Sequence, residues 1–198
     1  LPELHFNPET HTYTVDGTVI PCVSDIIAIL GKPIPEELEA VFEAAAERGT
    51  ALHKVLEEYL TGNYKYRYPA EYGAYVGGIR LFLMEHFIEP YNIEQPIYNE
   101  KLNYAGTPDL VGMFDGELSI IDYKFVSQVD KLKVKAQLNA YRLAYESIGV
   151  AIEKLYAVQF LPTGAYRLYP VAVDNTEFTA CHALYQAGQR KHGRGIIE

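Results

Sequence analysis

The sequence predicts an α/β (α+β) fold, a central mixed sheet flanked by helices with an N-terminal hairpin set before it. Three observations carry that expectation. Asp16-Gly17 and Asp115-Gly116 each separate two short strand-like runs, and Asp-Gly is a strong hairpin signal because both central residues of such a turn need positive φ. Segments of helical period and of strand period then alternate as helix, strands, helix, strand, the order of a sheet with helices packed on it. Finally, 48% of the 198 residues are hydrophobic, which argues against disorder and suffices for one sizeable core.

The elements follow in order. His5 to Val19 reads as a hairpin closed by Asp16-Gly17. Val23 to Leu30 is a short helix with Ser24 as its cap. Gly31-Lys32-Pro33-Ile34-Pro35 is a linker. Glu36 to Leu60 is helical, with a break expected at Gly49; Leu52, Val55, Leu56, Tyr59 and Leu60 give it one apolar face. Pro69 to Phe87 is a second helix. Ile93 to Asn99 and Leu102 to Ala105 are strands. Asp109 to Phe114 and Leu118 to Lys124 form a hairpin across Asp115-Gly116, and the second of these is apolar enough through its middle to lie centrally. Lys131 to Ser147 is a helix stopped by Gly149. Lys154 to Leu161 and Tyr166 to Val173 pair around Pro162-Thr163-Gly164, and Thr176 to Arg190 closes the chain as a helix. No repeat or low-complexity segment appears.

The hairpin over 109–124 carries the chemistry. It brings Asp109 beside Asp122 on neighbouring strands, and Asp122 and Lys124, two apart, point to one face while Tyr123 points to the other. Two carboxylates about 4 Å apart repel by roughly 4 kcal/mol at an effective dielectric near 20. Such a pair shares a proton or binds a cation. A hard divalent ion with oxygen ligands suits it, and a lysine alongside suits the charge that develops on a phosphate under attack. The alternative is a surface ion pair on an edge hairpin.

Two further segments bear on this site. His53 and Glu57 share a flank of their helix, and Gly49 lies one turn before. His53 is there either as a metal ligand, with Glu57 as second ligand or orienter, or as a histidine at the helix border with a capped ring. Gln137 and Tyr141 share a face of the later helix. They either bind a nucleotide and steady Lys124, or Tyr141 is simply core.

Gly49-x-x-x-His53, Pro108-Asp109, Asp122-x-Lys124 and Gln137-x-x-x-Tyr141 stand in the order and relative spacing of one family. The set resembles the PD-(D/E)xK nucleases of the RecB-type branch, which includes small phage exonucleases, the nuclease domains of bacterial helicase–nucleases and mitochondrial genome-maintenance exonucleases. The resemblance spans roughly residues 40 to 162, and His5 to Leu30 looks like the opening of phage members. It implies a restriction-endonuclease-like core and a metal-dependent DNA nuclease, most simply an exonuclease, using one or two Mg²⁺ or Mn²⁺ ions. It implies metal ligands at His53, Asp109 and Asp122 and at the Tyr123 carbonyl, Lys124 as the catalytic lysine, and Gln137 and Tyr141 on the substrate side. Glu57 and Glu100 are further acidic candidates. On this reading residues 1–198 form one nuclease domain: 1–35 hairpin and short helix, 36–175 core, 176–198 closing helix and basic tail. A non-catalytic DNA-end-binding or scaffold module is the alternative, though such a module has no need of Lys124 beside two aspartates.

Several absences narrow the field. Cys22 and Cys181 are the only cysteines, too few for a four-cysteine iron–sulfur cluster or a Cys-based zinc site. Both are expected buried and reduced, as in a cytoplasmic protein of a bacterium or phage-infected cell. The chain has no phosphate-binding Gly-x-x-x-x-Gly-Lys-Ser/Thr loop, so ATP-driven unwinding calls for a separate helicase, and a recombination or annealing protein is the other expected partner. No membrane span or signal peptide is visible, although a start at Leu1 makes the missing targeting segment weak evidence.

A net charge of −9 opposes a protein that grips many phosphates. Lys131, Lys133 and Lys135, at the start of the Gln137 helix, are expected to face the same cleft, and Arg190, Lys191, His192 and Arg194 form a basic tail. The acidic balance favours action on single strands or ends. Among 17 tyrosines, Tyr64, Tyr66, Tyr68, Tyr72 and Tyr75 cluster after the His53 helix, either stacking on unpaired bases or packing with their hydroxyls outward.

Overall fold

The computed structural model describes residues 2–33 and 35–193, with side chains through 189. A five-stranded mixed sheet forms the centre, in the order β10(Tyr166–Val171), β9(Lys154–Phe160), β8(Glu117–Lys124), β7(Leu110–Phe114), β4(Ile88–Ile93). Only β8 and β9 run parallel. Before it stand β1(Leu4–Asn7), β2(Thr12–Val15) and β3(Thr18–Ile20), a small antiparallel sheet, and β5(Ile97–Asn99) pairs with β6(Tyr104–Gly106) as a separate ribbon. The helices are α1(Val23–Ile27), α2(Glu39–Leu60), α3(Gly73–Glu85), α4(Lys131–Ser147) and α5(Thr176–Gly193).

The central strand is β8, buried from Ser119 to Tyr123. Its two faces feed two cores. Ile120 packs with Val134, Leu138 and Tyr141 of α4, with α1 and with Phe178 of α5. Ile121 and Tyr123 pack with Leu52, Val55 and Leu56 of α2 and Ile79 and Phe82 of α3. Asp122 and Lys124 therefore lie on the α4 side, and Tyr123 on the α2 side.

Local chemistry accounts for most boundaries. Asp115 and Gly116 (φ 49° and 92°), like Asp16 and Gly17 (φ 49° and 78°), take the left-handed conformation their tight turns require. The two prolines within the central sheet, Pro90 and Pro170, sit on its edge strands β4 and β10, where a missing N–H breaks no ladder bond. Gly112 lets β4 cross close by: a Cβ there would meet the Glu89 carbonyl oxygen at 2.3 Å.

The structure departs from expectation at several elements. Cys22, not Ser24, caps α1: its sulfur accepts from the Asp25 N–H while the Asp25 carboxylate accepts from the Cys22 N–H. The α2 helix runs unbroken through Gly49. Ile88–Ile93, most of which has no expected element, is a strand of the central sheet, whereas of the expected strand over Ile93–Asn99 only Ile97–Asn99 belongs to the β5–β6 ribbon and Ile93 ends β4. Tyr66, Tyr68, Tyr72 and Tyr75 pack partly buried against the α2–α3 core, leaving Tyr64 as the exposed member of that cluster. Cys22 and Cys181 are buried free thiols. The basic tail lies outside the described side chains. Among the described residues, no helix is long and apolar enough to cross a membrane.

Candidate active site

The register of three strands builds the site. Ile93 of β4 pairs with Leu110 of β7, and Leu110 pairs with Ile121 of β8. The next step along this row is Glu94, Asp109, Asp122, three carboxylates abreast where the ladders end. Glu94 N–H still donates to the Asp109 carbonyl at 3.1 Å. Tyr123 N–H donates to Asp109 Oδ2 at 2.6 Å, which ties the middle carboxylate to β8. Glu94 itself is held at φ 48°, a left-handed conformation uncommon outside glycine and found more often at functional sites.

Two cations face this row from opposite sides of the sheet. From α2, His53 Nδ1 lies 3.5 Å from both Glu94 Oε1 and Asp109 Oδ1. From the α4 side, Lys124 Nζ lies 2.7 Å from Asp122 Oδ2 and 3.0 Å from Oδ1, and donates to Gln137 Oε1 at 3.2 Å. Gln137 Nε2 donates in turn to the Tyr141 hydroxyl at 3.2 Å. Gly106 makes room for that tyrosine: a Cβ there would meet Tyr141 Cε1 at 2.5 Å and Val23 Cγ2 at 2.9 Å.

Burial raises the pKa of both Asp109 and Asp122, against the pull of His53 and Lys124. Burial alone would lower His53, but Asp109, Glu94 and Asp122 outweigh it and bring it up to about 9. Lys124 behaves alike: burial lowers it, Asp122 and Asp109 more than offset this, and it stays an ammonium. Cys22, which also lines the cleft, is pushed up to about 11 by burial, so it presents a thiol.

The donor set fits a divalent cation. His53, Glu94 and Asp109 each offer a ligand atom, all within 4.8 Å of one another. Asp122 Oδ2 is buried and, despite its closeness to Lys124, accepts no hydrogen bond.

The structure thus brings His53, Asp109, Asp122, Lys124, Gln137 and Tyr141 to one cleft. Other candidates lie differently. Glu57 borders the cleft but pairs with Lys54 at 2.9 Å. Glu100 is exposed in the connection between β5 and β6 and lines a different surface depression. Lys135 is held by Asp174 at 2.7 Å and Glu177 at 2.9 Å, and Lys131 lies over the Tyr169 ring, so neither lysine faces the cleft. Tyr123 meets the site through its N–H and buries its ring in the α2–α3 core. Sequence reasoning missed Glu94, because a strand drawn over Ile93–Asn99 placed it inside that strand. The usable signal was the register row, once Pro90 marks Ile88–Ile93 as an edge strand.

No protein-family model matches the chain, and neither does any curated protein sequence. Among solved structures, the chain is similar to SSO0001, at 17% identity over 83% of this chain and 74% of that one, with a TM-score of 0.43. It is also similar to an alkaline exonuclease (LHK-Exo) from Laribacter hongkongensis, at 14% identity over 86% of this chain and 90% of that one, with a TM-score of 0.39. At these scores neither similarity speaks to activity.

Proposed function

We propose that this protein is a metal-dependent deoxyribonuclease that hydrolyses phosphodiester bonds from strand ends. The observation that carries the reading is the row Glu94–Asp109–Asp122, flanked by His53 and faced by Lys124. A structural ion-pair network has no use for three carboxylates abreast faced by only two cations, whereas phosphoryl transfer needs concentrated positive charge held by acids. His53, Glu94, Asp109 and Asp122 would hold one or two Mg²⁺ or Mn²⁺ ions. Such an ion supplies a Lewis acid for the phosphate and lowers the pKa of a water.

The chain's own residues do the rest. Lys124, kept charged by Asp122, donates to a non-bridging phosphate oxygen as negative charge grows there. Gln137 accepts from Lys124 and is itself fixed by Tyr141, so this pair positions the ammonium instead of touching substrate. Asp109, tied to β8 through the Tyr123 N–H, keeps the acid row in register.

End-labelled linear DNA and closed circular DNA, incubated with Mg²⁺ or Mn²⁺, test the reading. Linear DNA is cut, chelator stops the cutting, and Lys124→Ala lowers the rate by at least about a hundredfold, the scale of a lost transition-state donor. Cutting that survives chelator or the substitution contradicts the mechanism, and cutting of closed circles contradicts the requirement for ends.

A further inference from the structure

The cleft above the acid row has two walls that the chemistry does not use. One is the β1–β2 hairpin, which contributes Phe6, Pro8 and His11; the other is α2, which contributes Ala46, Gly49 and Thr50. We propose that these walls form a base-stacking slot for an unpaired DNA end, in which Phe6, His11 and Phe42 contact the bases of the strand whose phosphate meets the acid row. The proposal rests on the nuclease reading and adds to it which part of the strand is recognised and by which residues.

The hairpin wall is an ordered aromatic surface. Phe6 stacks on Tyr13 with centroids 4.6 Å apart, and Tyr13 is anchored below through its hydroxyl to Thr107 at 2.7 Å. His11 stands edge-on to both rings, at 5.3 Å and 5.8 Å. It is exposed, it is held at φ 50°, and its nitrogens have no hydrogen-bond partner among the described residues. A left-handed histidine at a cleft mouth, with no polar contact that would require it there, is a local cost better explained by what it presents outward.

Beyond His53, the α2 wall is uncharged along its stripe as far as Phe42. His53, Thr50, Gly49 and Ala46 follow helical spacing, and one turn further the stripe reaches Phe42, which is 48% exposed. Gly49 has open space where a Cβ would be. Along its flank run Glu39, Glu43 and Glu47, exposed and without an ion pair among the described residues. That flank repels phosphates, so a strand entering here turns its bases to α2. The cavity, about 640 Å³, is of a size that encloses a small ligand and not a duplex. Stacking tolerates any base because every base has a π-face, and it draws on aromatic rings where a chain of net charge −9 has few cations to offer.

Binding of short single-stranded DNA, with Ca²⁺ replacing the catalytic ion so that the strand stays whole, tests the slot. One strand is ordinary and the other has abasic sites at its end. The ordinary strand binds roughly 5- to 100-fold tighter. His11→Ala and Phe42→Ala, which remove exposed side chains, erase most of that difference and leave abasic affinity unchanged. Phe6→Leu, which keeps bulk against Tyr13, does the same in part. Equal binding of the two strands, or variants that retain the difference, overturns the slot. Cleavage in Mn²⁺ is followed in parallel. Metal-dependent cutting with no base effect sinks the slot alone, whereas base-dependent binding without any cutting supports the slot and sinks the nuclease reading.

Discussion

Asp109 sits where three demands meet. It immediately precedes β7, it receives the Tyr123 N–H, and it lies between Glu94 and Asp122 with His53 3.5 Å away. Its neighbour Glu94 was invisible to sequence reasoning, and Glu57 and Glu100 were the further acids put forward instead. The two substitutions therefore separate geometry from composition. Glu94→Gln weakens Mn²⁺ binding by at least about tenfold, judged by calorimetry, while Glu100→Gln leaves it unchanged; the reverse result would remove Glu94 from the site. Gly106 makes a second residue-level case. A Cβ at 2.5 Å from Tyr141 Cε1 must push that ring and, through Gln137, the Lys124 ammonium. Gly106→Ala costs about 1–3 kcal/mol, seen as a melting point several degrees lower, and cleavage falls beyond what that loss explains. A variant with unchanged melting and full activity would show that the ring has room to move.

At the scale of elements, α4 joins the site to α5. Lys135, Asn139 and Arg142 lie on one side of the helix. Asn139 accepts from the Asp174 N–H and donates to the Ala172 carbonyl, Arg142 donates to Asn175, and Lys135 pairs with Asp174 and Glu177. Lys135, expected at the cleft, is thus a clasp between α4 and the start of α5. The Lys135 ammonium, helped by the Thr176 hydroxyl and N–H, holds the Asp174 carboxyl well below its usual range. A folded-state pKa below the unfolded one gives stability that is present above the ordinary carboxylate value near 3.9 and is lost as pH falls past it. Asp174→Asn therefore lowers the melting point near neutrality, where that stability is present, and its difference from the native chain shrinks as pH falls below about 4; a difference that does not shrink removes the clasp. This also shows what the sequence conveyed. Both Asp-Gly hairpins and the Asp122–Lys124 face were legible because they depend on turn chemistry and period-two alternation alone. The strand over 88–93 was not, because Glu89, Pro90 and Asn92 are poor strand residues and pairing with β7 decides their state. Nor was the direction of Lys135, which depends on an α5 residue some forty positions away.

For the whole molecule, the acid row is a local excess of negative charge inside a chain already at −9. Asp122 is buried and Asp109 half-buried, with only His53 and Lys124 to balance the row, so the folded state carries repulsion that a divalent ion would relieve. An ion that binds the folded chain alone at a hundred times its dissociation constant adds about 2.7 kcal/mol, and for a chain of this size each kcal/mol raises the melting point by about 2–4 °C. Saturating Mn²⁺ is thus expected to raise it by about 5–11 °C, and chelator to reverse the shift. On the proposed assignment both variants shrink the shift, His53→Ala by removing a ligand atom and Asp109→Asn by removing the charge of one. On the proposed assignment Lys124→Ala keeps it while slowing cleavage by at least about a hundredfold, because the lysine is assigned to the substrate and not to the ion. That last contrast separates holding the ion from using it: if Lys124→Ala also lost the thermal shift, the lysine would be maintaining the metal cluster itself, and its assigned place opposite the phosphate would have to be given up.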